Sequence, residues 1–174
     1  PTDRAATLER GTRELKAVFD AAARAKVKRV LYVSSTATVA PSPAGPSTER
    51  DTFATAPDFG VYHQLKWALE ALAREEDRFE CVTVCPGACL GPHDWKVGTS
   101  ALLLGTAKGL AVPHPDGWVN IVDARDVGAA LLLLAKTASV PKRLLLAGRN
   151  YRVYAQLEGL SDRYHVPPPL LQQL

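Results

Sequence analysis

The sequence predicts an α/β domain in which helices cover both faces of a parallel sheet. Three observations carry that reading. Residues 30–33, 80–84 and 143–147 are short apolar runs that end at Ser, Pro or Gly. Unbroken apolarity, in place of strict alternation, marks strands covered on both faces, as parallel strands are. Between them lie stretches whose apolar residues recur at three- and four-residue steps, the period of a helix. Finally, 174 residues with 47% hydrophobic and 22% charged side chains are enough for one globular domain. A chain of this size buries roughly 70% of its unfolded surface and needs no disulfide or metal staple.

Taken in order, residues 7–26 form the first expected helix, with Leu8, Leu15, Val18, Phe19 and Ala22 on one side. Its end carries Arg24, Lys26, Lys28 and Arg29, where cations meet the negative end of the helix dipole. The strand 30–33 stops at Ser34-Ser35-Thr36. Residues 40–60, APSPAGPSTERDTFATAPDFG, then read as one long loop, and a loop of that length in a compact domain is usually functional. Residues 61–76 are helical again, with Tyr62, Leu65, Leu69 and Leu72 on one side. A strand at 80–84 ends at Pro86-Gly87. A short helix is expected at 100–108, a strand at 118–122, an apolar helix at 124–136 and a core strand at 143–147. A last helix, about 153–164, precedes the breaker Pro167-Pro168-Pro169. Asp123 is placed to cap the helix that follows it.

Composition excludes several classes. Lys plus Arg is 21 against 18 for Asp plus Glu, a balance of +3 that implies no nucleic-acid partner. No apolar run approaches the ~20 residues of a spanning helix, and no basic-then-apolar leader opens the chain. Cys81, Cys85 and Cys89 are odd in number and close together, which is no disulfide framework. They read as buried thiols in a reducing cytoplasm, and no metal site is expected. His63, His93, His114 and His165 are scattered, and surface or loop positions explain them. Trp95 and Trp118 suit a pocket wall, core packing or an interface. The chain begins at Pro1 and holds no Met, so a piece of a longer protein, or missing residues, is expected.

Ligands of open parallel sheets sit at the carboxyl ends of the strands, which directs attention to Ser34-Ser35-Thr36 and Cys85-Pro86-Gly87. The next helix opens with Tyr62-His63-Gln64-Leu65-Lys66. A four-residue step stacks Tyr62 and Lys66 on one face, one turn apart. A free Tyr has a pKa of about 10, so acid–base work near neutral pH asks for a shift worth about 4 kcal/mol. One ammonium about 4 Å away supplies a comparable ~4 kcal/mol at an effective dielectric near 20. A hydroxyl cluster, a covering loop and a Tyr–Lys pair thus follow one another in the chain.

In that order of motifs the sequence resembles the extended branch of the short-chain dehydrogenase/reductase superfamily, which holds the NAD-dependent epimerase/dehydratases and the dihydroflavonol-reductase-like enzymes. Gly11-Thr12 and AVFDAAARAKVKRVLYVSSTATV resemble its helix leading into the fourth strand. Tyr62 and Lys66 match its Tyr-x-x-x-Lys motif. VTVCPGACLGP is similar to the strand and turn beside the nicotinamide, and VNIVDARDVGAALLLLA to the substrate-side strand and helix. The resemblance implies a Rossmann-like doubly wound parallel sheet with a small substrate-side region at about 93–120 and 149–174, the whole of 1–174 forming one incomplete domain. It implies a hydride transfer between NAD or NADP and the carbonyl or secondary alcohol of a small organic substrate. Thr36, Tyr62 and Lys66 would be catalytic, with Ser35 the alternative to Thr36. Ser34, Ser35, Tyr62, Lys66, Pro86, Gly87 and Ala88 would face the cofactor. A homodimer through helices 7–26 and 61–76 is expected. Two departures stand out. Leu8 occupies a position where the family often has Asn, and the glycine-rich GxxGxxG turn that holds the pyrophosphate is missing. The chain therefore reads as roughly the C-terminal two-thirds of such an enzyme, and as a weak binder of NAD(P) by itself. A nucleotide-sugar epimerase or dehydratase is the nearest alternative, disfavoured by the short segment between Pro92 and Val119. A non-catalytic dinucleotide-binding protein is the other.

Overall fold

The computed structural model describes residues 3–95, 98, 100–110, 114–115, 117–165 and 171–172. The expected Pro167-Pro168-Pro169 breaker and parts of the segments 93–120 and 149–174 lie outside the described residues. In chain order the elements are α1 (Arg4–Arg24), β1 (Arg29–Val33), a 3-10 turn (Thr36–Thr38), α2 (Val61–Glu75), β2 (Glu80–Pro86), β3 (Ala88–Leu90) and α3 (Ala101–Ala107). There follow β4 (His114–Pro115), β5 (Trp118–Asp123), α4 (Ala124–Lys136), β6 (Arg143–Leu146), β7 (Arg149–Arg152), α5 (Val153–Tyr164) and β8 (Leu171–Gln172). They form two compact units, one of Pro1–Pro86 with Ala129–Leu146, the other of Gly87–Gly128 with Ala147–Leu174.

The first unit is built on a parallel sheet in the order β1-β2-β6, with Val33 opposite Val84 and Thr83 opposite Arg143. The sheet is covered on both faces, which is why its strands are largely apolar. On one face Phe19 of α1 and Ala73 of α2 pack with Phe79 and Cys81, joined by Val30 and Tyr32. The Phe19 and Phe79 rings meet edge to face at 5.6 Å. On the other face Val82, Val84 and Leu134 form a second cluster with Leu31, Leu144 and Leu146. Val82 and Val84 are wholly buried, each such burial contributing roughly 1.5–3 kcal/mol. Asp3 caps α1 by accepting from the Ala6 amide at 3.2 Å. The long loop after the 3-10 turn holds one bridge, Val39 with Thr52.

In the second unit β5 is the centre of a sheet of its own, parallel to β3 and antiparallel to β7. The strand expected at 118–122 forms, with β3 and β7 as its neighbours. Asn120 is the reason on the β7 side. Its side chain accepts from the Gly148 amide at 2.9 Å and donates to Asn150 Oδ1 at 2.7 Å. A Cβ at Gly148 would overlap the Ile121 carbonyl oxygen, so only glycine lets the chain approach β5 this closely. Asp123 does cap α4: its Oδ1 accepts from the Arg125 amide at 2.8 Å, and the Arg125 guanidinium grips the same carboxylate. That guanidinium holds the Asp123 carboxyl down to about 2. Trp95 and Trp118 are 86% and 75% exposed, so core packing is not their role.

Candidate active site

The candidate residues of the first unit gather where β1 ends and α2 begins. The Ser34 amide donates to the Val84 carbonyl at 2.7 Å, carrying the ladder one residue past β1. Ser35, in extended backbone, then starts the 3-10 turn, its hydroxyl oxygen accepting from the Ala37 amide at 3.1 Å. The three consecutive hydroxyls separate by partner. Ser34 is buried and donates to Glu70 Oε2 at 2.6 Å. Ser35 closes the turn. Thr36 is half-buried, and its hydroxyl makes no hydrogen bond among the described residues. Sequence order alone leaves Thr36 and Ser35 as alternatives. The geometry leaves the Thr36 hydroxyl uncommitted.

Helix α2 starts after Gly60, whose φ of +109° is a conformation other residues rarely adopt. Tyr62 lies in the first turn, 53% exposed, and its hydroxyl makes no hydrogen bond among the described residues. One turn on, the Lys66 ammonium donates to the Val33 carbonyl at 3.2 Å and lies 6.0 Å from the Tyr32 ring centre. The main chain at the end of β1 therefore holds Lys66 at the start of the turn that carries Thr36. Beside it the Tyr32 hydroxyl is buried without a hydrogen-bond partner among the described residues. Burial first, then the charges of Glu70, Cys85 and Tyr62, push its pKa well above the usual tyrosine value.

Behind these groups lies a buried polar network that the sequence reading did not find. Glu70, one turn beyond Lys66 on α2, is buried and faces Arg143 of β6, with Oε1 2.8 Å from Nε. That Nε has no hydrogen-bond partner, so proximity of charge, and not a well-aimed bond, joins the pair. The Arg143 guanidinium also donates to the Thr38 carbonyl and hydroxyl at 3.1 and 3.2 Å, and to the Glu49 and Asp51 carbonyls at 2.7 and 3.3 Å. The Cys85 thiol approaches Glu70 at 3.7 Å and Thr38 at 3.8 Å, and its burial pushes its pKa up. The available signal was an arginine opening the apolar run Arg143-Leu144-Leu145-Leu146.

Pro86 ends β2 opposite Leu146 in the first unit, while Gly87 and Ala88 belong to the second. A Cβ at Gly87 would sit 2.8 Å from the Asn120 carbonyl oxygen, so this glycine answers to close packing against β5. Ala88 pairs with Ile121. The second unit also contains a cavity of about 450 Å³ with Leu90, Leu103, Ile121, Tyr151 and Arg163 in its wall, a size suited to a small ligand. A hollow of about 480 Å³ in the first unit is lined by Glu75, Glu76, Asp77 and Lys142, at the other end of α2 from Tyr62, and holds none of the candidate residues. No helix among the described residues is long and apolar enough to cross a membrane.

The donor set suits the ribose and nicotinamide end of a dinucleotide. An ammonium has three N–H donors, of which Lys66 spends one on Val33, and the Tyr62 and Thr36 hydroxyls are uncommitted.

Comparison with known proteins agrees with the fold. Residues 1–148 match the NAD dependent epimerase/dehydratase family. Sterol demethylase protein B of Methylococcus capsulatus (strain ATCC 33009 / NCIMB 11132 / Bath) is 28% identical over 172 residues, in a match that covers 93% of this chain and 52% of that protein. A nucleoside-diphosphate-sugar epimerase from Pseudomonas aeruginosa superposes with a TM-score of 0.79 at 28% identity, over 88% of this chain and 52% of the other. The Bordetella bronchiseptica enzyme WbmG, in complex with NAD and UDP, shares the fold with a TM-score of 0.79 at 19% identity, over 99% of this chain and 56% of its own. The chain thus spans about half the length of these relatives, less than the two-thirds that the motif order suggests.

Proposed function

We propose, for a chain that belongs to the NAD dependent epimerase/dehydratase family, that this site handles the proton in an oxidoreduction of a small carbonyl compound or secondary alcohol. The observation that carries the reading is the Tyr62–Lys66 turn. It places an exposed, uncommitted phenol one helical turn from an ammonium anchored on the end of β1. Tyr62 donates a proton to the substrate oxygen during reduction and removes one during oxidation. A positioned acid–base group of this kind contributes about 10²–10⁴-fold to rate. The remaining N–H groups of Lys66 hold the ribose. Thr36 donates to the substrate oxygen and fixes it in front of Tyr62. Bound NAD(P) supplies or accepts the hydride.

A second reading, nucleotide-sugar epimerisation or dehydration, is favoured by the 28% identity to a nucleoside-diphosphate-sugar epimerase and uses the same residues. Incubating the full-length protein with NAD(P)(H) and a panel of aldehydes, ketones, secondary alcohols and UDP-sugars separates the two. Stoichiometric change of nicotinamide absorbance with a carbonyl or alcohol supports the proposal. Sugar conversion with no net change of nicotinamide supports the second reading. Silence across the whole panel contradicts both and favours a non-catalytic dinucleotide-binding protein.

A further inference from the structure

We propose that Arg143 is a positioning residue that holds Thr36, Tyr62 and Lys66 in register with one another and with the loop 39–60. It lies 107 residues after the first of these in the chain, yet its one side chain reaches all three pieces of backbone that carry or cover the site. Through Thr38, which accepts at both its carbonyl and its hydroxyl, it fixes the 3-10 turn that Thr36 opens. Through Glu70 it fixes α2 on the side that carries Tyr62 and Lys66, since residues four and eight apart share a helix face. Through the Glu49 and Asp51 carbonyls it fixes the middle of the loop.

Each of these holds is itself supported. The second oxygen of Glu70 takes the Ser34 hydroxyl at 2.6 Å, tying α2 to the residue that follows β1. Glu49 returns the loop's grip on β6 by accepting from the Leu145 amide at 3.2 Å. Asp51 accepts from the Thr48 amide and hydroxyl at 2.7 and 3.0 Å, and its carbonyl takes the Ala40 amide at 3.1 Å. The loop is therefore a closed ring whose inner carbonyls point at one guanidinium. Only arginine can do this: its planar fork offers five donors in fixed directions, whereas a lysine in the same place offers a compact point charge. The Arg143 side chain is 12% exposed and that of Glu70 3%, so water cannot replace the lost bonds cheaply.

The inference rests on the proposed roles of Thr36, Tyr62 and Lys66, and its test separates failure of those roles from failure of the clamp. The variants are Arg143→Lys, which keeps a charge opposite Glu70, and Arg143→Met with Glu70→Gln, which removes both charges together. Arg29→Lys, remote from the candidate residues, is the comparator. Amide hydrogen exchange over 36–66 is measured in the full-length protein, with kcat and KM for whichever carbonyl or alcohol the wild type turns over. The expected result in a folded Arg143 variant is exchange about tenfold faster in the loop and the first turn of α2. With it comes a fall in kcat on the order of 100-fold, as misplacement by about 1 Å produces, and a rise in KM for NAD(P), because Lys66 also holds the ribose. Unaltered exchange, or faster exchange with unaltered kcat, overturns the proposal. If Tyr62→Phe proves as active as wild type, the assigned chemistry is wrong. The clamp is then judged by exchange at Tyr62–Lys66 alone: faster in Arg143→Lys sustains it, unchanged overturns it.

Discussion

Arg29 and Arg143 belong to the same sheet, and each collects backbone carbonyls from distant segments around one carboxylate. Arg29 opens β1, pairs with Glu80 at 2.6 Å, and donates to the carbonyls of Leu134 and Ala138 at 2.7 and 3.0 Å, and also to that of Thr137. Those carbonyls are the open C-terminal end of α4, so Arg29 serves as a charged helix cap. Arg143 collects as many partners, but its carbonyls lie in the 3-10 turn and the long loop. The carboxylates differ too: the Glu80 side chain is 41% exposed, that of Glu70 3%. A similar fork of donors therefore does two jobs. Where the carboxylate meets water and the carbonyls end a helix, the fork stabilises. Where the carboxylate is buried and the carbonyls belong to the site's own backbone, the fork also sets geometry.

The comparison breaks most visibly on truncation. Arg143→Met alone strands Glu70 without its cation, and removing one partner of a buried pair costs about 3–5 kcal/mol. Chemical denaturation should show that loss, and adding Glu70→Gln should recover most of it. Arg29→Met leaves groups that water can reach, so a smaller loss, about 1–2 kcal/mol, is expected in the same experiment. An Arg143→Met variant no more costly than the Arg29 variant would erase the distinction.

Much of this was legible in the sequence, for physical reasons that also mark the limit. β1, β2 and β6 announce themselves because both faces of each are covered. β3 is three residues long, and β7 reads Arg-Asn-Tyr-Arg, with only Tyr151 apolar, so neither carries a period. Tyr62 and Lys66 were visible because a helix makes a four-residue spacing a spatial fact. The separate partners of the three hydroxyls were not, because Ser34 is taken by Glu70, 36 residues away. Arg143 was further out of reach still: nothing local distinguishes an arginine that opens a strand from one that clamps a site.

A smaller effect is expected at another arginine–carboxylate pair of the first unit. Arg78 grips Glu76 through its guanidinium, at 2.7 Å for the closest pair, and holds the carboxyl down to about 2 from 4.5. A folded-state pKa below the unfolded one stabilises above the unfolded value and is lost as pH falls. Glu76 should therefore contribute fully above about pH 4.5 and lose its contribution between there and about pH 2. Glu76→Gln should flatten that part of the acid limb in thermal melts taken across the range, leaving neutral-pH behaviour of the loop 39–60 untouched.

The central claim is that the Tyr62 hydroxyl moves the proton. Its most direct test is the single-turnover rate of hydride transfer in the full-length protein, wild type beside Tyr62→Phe, with Thr36 and Lys66 intact. The account predicts a fall of about 10²–10⁴-fold with the fold unchanged. Equal rates in the two proteins would contradict it.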